Sequence, residues 1–213
     1  GKGGIIPIQT LYFPSSAFLD LKLTGLQGDV MKESMNVAKT LAWNLTNKSI
    51  KTKLLKYFTD TKCQGLHIHC PEGSISKDGP SAGAAITTAI YSLFNNISLP
   101  NDVAITGEIT LKGDVNAIGG LYEKISGGIK AGITTFIIPK QNERDYNEVI
   151  EKSGLFKKRK KGFHQQLACT SRCLLVQIAI KKNKKSNSSF LFGDPVLGWA
   201  GNENSKKRFK SKY

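Results

Sequence analysis

A serine stands behind a Gly-Pro turn in Asp78-Gly79-Pro80-Ser81-Ala82-Gly83 and opens a run, Ser81 to Phe94, whose small and apolar residues read as a buried helix. The first residues of a helix present N–H groups without intrahelical partners and a partial positive charge. Donors so placed stabilise the oxyanion that forms when a serine hydroxyl attacks a carbonyl, and small flanking residues let another chain approach closely. Such a serine needs a base. The three histidines, His67, His69 and His164, build no Ser-His framework around it, and no G-x-S-x-G elbow occurs. A lysine serves instead where burial disfavours its ammonium and brings its pKa down toward neutrality. Lys124 in Gly119-Gly120-Leu121-Tyr122-Glu123-Lys124-Ile125 has the apolar and small neighbours for this, near the start of an expected helix. On composition alone, a helix-capping serine and a solvated helix lysine account for the two residues as well.

His67 and His69 are two apart on an alternating stretch and therefore share one face of a strand. That would suit a metal pair, but no third ligand is spaced to complete a site, so hydrogen-bonding histidines are expected. Cys63, Cys70, Cys169 and Cys173 are too few for a disulfide scaffold and imply a reducing compartment. No CxxC occurs, and His164 is the sole imidazole near Cys169 and Cys173, so free thiols are expected there rather than zinc.

The chemistry needs elements to position it. Apolar runs between Pro and Gly in the first 27 residues, Gly4 to Ile8 and Phe18 to Gly25, read as two short strands, with Leu19, Leu21 and Leu23 on one face. Val30, Met31, Met35, Val37, Ala38, Leu41 and Ala42 recur at helical spacing from Asp29, a candidate cap, to about Asn44. Leu66 to Cys70 reads as a strand, followed by a loop from Glu72 to Pro80 and the helix after Ser81. Val103 to Leu111 reads as a strand that turns at Gly113 and resumes over Val115 to Ile118 as a hairpin. A helix over Leu121 to Ala131 and a β-branched strand from Thr134 to Pro139 follow. Helix and strand mix throughout, giving an α+β domain over residues 1–150.

Charge divides the 213 residues. Net charge is +15, but residues 1–150 hold 15 basic and 13 acidic residues, whereas residues 151–213 hold 16 and 3. A domain-wide electrostatic footprint for nucleic acid is absent, and polyanion affinity is expected, if anywhere, in the basic tail 151–213. No apolar run is long enough to span a membrane. The Gly1-Lys2-Gly3-Gly4 start has no signal-peptide pattern, and the chain is expected to begin inside a longer protein.

Several blocks together resemble the Lon proteases. Asp78-Gly79-Pro80-Ser81-Ala82-Gly83-Ala84-Ala85-Ile86 is similar to the active-site signature of that family. Leu23-Thr24-Gly25 with Gly28 to Ser34, His67-Ile68-His69 with Pro71-Glu72-Gly73, Thr106 to Leu111, and Ile118 to Leu121 with Glu123-Lys124 resemble further family blocks, in family order over residues 1–150. Departures at Gln27, Ala117 and Tyr122 leave Ser81 and Lys124 untouched, whereas no match to the family's last strand and helix is found after about Ile150.

The resemblance implies a Lon proteolytic-domain fold (ribosomal protein S5 domain 2-like), with small mixed sheets packed by helices. It makes Ser81 the nucleophile and Lys124 the general base of a Ser-Lys dyad. Asp78 falls in the active-site loop, Thr106 on a hydroxyl residue that orients the lysine, Glu108 on a nearby carboxylate, and His67 and His69 on a strand beside the site. Gly79, Pro80, Ala82 and Gly83 take the turn and oxyanion side. The implied activity is ATP-dependent endopeptidase hydrolysis of unfolded or damaged proteins through an acyl-enzyme, in the cytoplasm or mitochondrial matrix. Implied partners are those substrates, an AAA+ ATPase domain in the parent protein, and further copies in a hexamer. The chain has no G-x-x-x-x-G-K-[ST] loop, so ATP and Mg are expected only through that ATPase domain, with no cofactor or metal held here. Two other readings stand beside this one: a catalytically impaired Lon-like assembly module, and a nucleic-acid-binding module built on the basic tail.

Overall fold

A computed structural model describes residues 4–25, 28–71, 79–153, 166–170 and 196–198. Asp78, His164, Cys173 and the lysine-rich blocks of the tail lie outside the described residues. Helix α1 (Asp29–Leu45) forms because Met31, Ser34, Met35, Ala38, Leu41 and Ala42 fall on one buried face. Asp29 is not its cap: Gly28 holds that position without a side-chain bond, and Asp29 sits in the first turn, where its charge suits the helix dipole and meets Lys32 at 2.9 Å. A second helix that the sequence reading passed over, α2 (Lys48–Thr61), starts where Asn47 accepts a bond from the Ile50 N–H and stops at Lys62, with φ of 61°.

The strands are β1 (Ile6–Phe13), β2 (Leu21–Thr24), β3 (Gly65–His69), β4 (Val103–Ile105), β5 (Glu108–Ile109), β6 (Val115–Asn116), β7 (Thr135–Pro139), β8 (Gln166–Thr170) and β9 (Val196–Gly198). Helices α3 (Gly83–Asn95), α4 (Leu121–Lys130) and α5 (Glu143–Ser153) complete the described elements. The strands form two sheets, a seven-stranded mixed one ordered β2-β3-β1-β9-β4-β7-β8 and a separate β5-β6 hairpin, packed by helices as an α+β fold. β1 runs antiparallel to β3 and β9, while β2 with β3, β4 with both β7 and β9, and β7 with β8 are parallel. Leu19 is buried but precedes β2, in a left-handed turn, so it does not share a strand face with Leu21 and Leu23.

The expected single strand over Val103 to Leu111 divides. β4 stays in the large sheet, and at Thr106-Gly107 the chain leaves to form β5 in the hairpin. Alternation along β4 and β7 separates two cores. Val103, Ile105 and Ile137 face one with α1 and α3, whereas Ala104, Phe136 and Ile138 face the other with Leu121, Ile125 and Ile129 of α4. A strand with a helix on each side must be apolar on both faces, which is why all five residues of β7 are buried. Among the described residues no helix is long and apolar enough to cross a membrane.

Candidate active site

Ser81 lies in a single 3-10 turn, Pro80–Ala82, that leads into α3. Gly79 enters the turn with φ of 131°, a left-handed conformation that glycine adopts without steric cost, and Pro80 presets the helical φ of the next residue. The Ser81 backbone is tied to the β4–β5 junction. Its carbonyl accepts from the Gly107 N–H at 2.8 Å and from the Thr106 hydroxyl at 3.0 Å, while the Ala84 N–H donates to the Gly107 carbonyl at 3.0 Å. Thr106 is anchored in turn, its N–H donating to the Ile137 carbonyl of β7 at 3.0 Å. These crossed bonds are the reason the strand breaks at Thr106-Gly107: the groups that would continue the ladder hold the serine turn instead.

Gly83 gives space rather than a donor. Its N–H is engaged with the Pro80 carbonyl, and a Cβ there would lie 2.8 Å from both Ile109 Cγ2 and Ser34 Oγ.

Lys124 approaches from the other core. Gly120, with φ of 67°, opens α4, whose buried face comprises Leu121, Lys124, Ile125, Gly127, Gly128 and Ile129. The Lys124 amine donates to Ser81 Oγ at 3.0 Å. With 6% of its surface exposed, Lys124 has its pKa lowered from 10.5 to about 8, and burial is the cause. Among the described residues no carboxylate offsets that burial, and Glu108, half-buried on β5, makes no ion pair with them. The Thr106 hydroxyl hydrogen is directed to the Ser81 carbonyl.

His67 and His69 share a face of β3 and meet through Thr24. The Thr24 hydroxyl lies 2.9 Å from His67 Nε2 and 2.7 Å from His69 Nδ1, and with one hydrogen it donates to no more than one of the two rings. Burial, then Lys22 and His69, lower the His67 pKa. Among the described residues no cluster of His, Cys, Asp or Glu suits a metal ion. Sequence reading missed Gln141 and Asn142, whose side chains grip the segment leading into α4; the signal was two amides in a short turn, and nothing local marks their distant partners.

The serine turn, its backbone anchors and the buried lysine thus occupy one locus at the end of β4. The family model of the Lon protease (S16) C-terminal proteolytic domain matches residues 2–158. The chain belongs to that family. Similar proteins include the Lon protease of Clostridium acetobutylicum, 44% identical over 147 residues, which are 69% of this chain and 18% of that protein. The Lon protease of Fervidobacterium nodosum is 43% identical over 145 residues, 67% of this chain and 17% of the relative. The mitochondrial Lon protease homolog of Candida albicans is 46% identical over 140 residues, 63% and 12% of the two lengths. This Lon-type domain therefore spans less than a fifth of the curated relatives it matches.

Proposed function

We propose that the chain is the proteolytic part of an ATP-dependent serine endopeptidase, with Ser81 as nucleophile and Lys124 as general base. The observation that carries this reading is the 3.0 Å contact between Lys124 Nζ and Ser81 Oγ in a buried setting. A pKa near 8 leaves part of the lysine unprotonated at neutral pH. The neutral amine takes the Ser81 proton as Oγ attacks the peptide carbonyl carbon. The N–H groups at the start of the Ser81 turn stabilise the resulting oxyanion. Collapse breaks the C–N bond, and the Lys124 ammonium returns its proton to the leaving amine. Water, activated by the same lysine, then hydrolyses the acyl ester and restores the Ser81 hydroxyl. Thr106 and Gly107 keep Ser81 in place.

Unfolded protein segments are the proposed substrates, delivered in a hexamer by an AAA+ ATPase domain of the parent protein in the cytoplasm or mitochondrial matrix. ATP and Mg act through that domain. The test is hydrolysis of an unstructured peptide by the chain and its Ser81→Ala and Lys124→Ala variants. Wild-type turnover is expected to rise with pH through about 8, as the Lys124 ammonium loses its proton, and both variants are expected to lose it. Full turnover in Lys124→Ala rejects the dyad. A peptide boronate that leaves Ser81 unmodified favours the impaired assembly module.

A further inference from the structure

We infer that Asn142 is a positioning residue for Lys124: its amide clamps the backbone of Ile118 and so fixes where α4 begins and where the lysine amine points. Asn142 is 1% exposed, and its side chain serves both backbone polar groups of one distant residue. Oδ1 accepts from the Ile118 N–H at 2.9 Å, and Nδ2 donates to the Ile118 carbonyl at 2.9 Å. One amide thereby performs the pairing that a neighbouring strand would give, at a point where β6 has already ended. Nδ2 also reaches Asp145 Oδ2 at 2.8 Å, which ties the clamp to α5, and Gln141 Oε1 accepts from the Ala117 N–H at 2.8 Å.

The location gives the clamp its consequence. Between Ile118 and α4 lie only Gly119 and Gly120, and a Cβ at Gly119 would meet nothing within 4 Å. Two glycines without side-chain packing cannot define a helix direction, so the direction is inherited from Ile118 on one side and from the packing of Leu121, Ile125 and Ile129 on the other. Lys124 sits one turn into that helix, its N–H bonded to the Gly120 carbonyl at 3.1 Å. A tilt at the helix start is therefore passed to the amine. The serine turn is fastened independently, through Thr106 and Gly107, so the 3.0 Å contact depends on two separate anchors. The Asn142 clamp is the anchor on the lysine side.

This inference rests on the dyad reading, and the test separates the two. The whole chain is labelled with 13C at lysine, and the ε-carbon of Lys124, identified by its absence in Lys124→Ala, is followed by NMR through its titration. Wild-type Lys124 is expected to titrate near 8. In Asn142→Ser, which keeps a favoured residue at the start of α5 but is too short to span to Ile118, Lys124 is expected to shift up by about one unit. Peptide turnover at pH 7 should then fall about tenfold in kcat, with KM within about twofold. An ordinary Lys124 titration in wild type overturns the dyad reading. A low wild-type value that Asn142→Ser leaves unchanged overturns the positioning role alone. Gln141→Ala, at an exposed position, supplies a second variant with a smaller shift of the same sign, and its absence counts against the clamp.

Discussion

At the scale of residues, Lys124 is costly where it stands. Its folded pKa near 8 lies below the 10.5 of an exposed lysine, so between these values the unfolded chain binds more protons than the folded one. Stability therefore rises with pH across that window, and below about 8 the whole penalty is present, about 3 kcal/mol. Lys124→Met is expected to remove it. After loss of the bond to Ser81, the variant should be more stable than wild type by about 2 kcal/mol at pH 7. Urea unfolding at pH 7 and pH 10 checks this, and the advantage should shrink at the higher pH. Ser81 was legible because the signature around it is compact and local. Lys124 was legible only through the Gly-Gly-Leu block, since a buried lysine and a solvated one look alike in a sequence. The partner of Thr106 was not legible: its hydroxyl finds a carbonyl 25 positions away, and only the break in the strand brings the two together.

At the scale of elements, α3 depends on close approach at its first residue. Gly83 has ordinary helical angles, so alanine there gains helix propensity of about 1 kcal/mol. The added methyl, however, would sit 2.8 Å from Ile109 Cγ2 and Ser34 Oγ and 3.2 Å from the Ile109 backbone nitrogen. The last of these cannot rotate away. Gly83→Ala is expected to destabilise by about 1–2 kcal/mol net, and Ile109→Ala to recover part of that loss, as read by thermal unfolding of the single and double variants. α1, β3, α4 and β7 were foreseen to within a residue or two because each carries its own period. α2 was passed over because its apolar stripe is narrow and set among lysines, and Phe58 alone in it is buried. The β4–β5 break escaped sequence reading because Val103 to Leu111 alternates without interruption, while the bonds that divide it come from the serine turn.

At the scale of the whole molecule, charge and work are distributed separately from chemistry. The basic excess belongs to residues 151–213 and the proposed dyad to the nearly balanced first 150. On the proposed mechanism peptide hydrolysis needs only Ser81, Lys124 and nearby donors, whereas opening a folded substrate takes about 5–15 kcal/mol. The chain on its own is expected to cleave short unstructured peptides slowly, to spare a stable folded protein, and to respond to added ATP in neither case. Turnover of both substrates with and without nucleotide checks this, and ATP-stimulated loss of the folded substrate would overturn it. The two cores on opposite faces of the sheet carry a last consequence. Ser81 travels with the layer of α1 and α3, and Lys124 with the layer of α4. Their contact bridges a seam that neither layer controls, and a displacement of about 1 Å between reacting groups can cost about a hundredfold in rate. On warming, such a seam slackens before either core melts. The domain thus carries its own thermal fuse: hydrolysis should fail reversibly at temperatures where its helices are still intact.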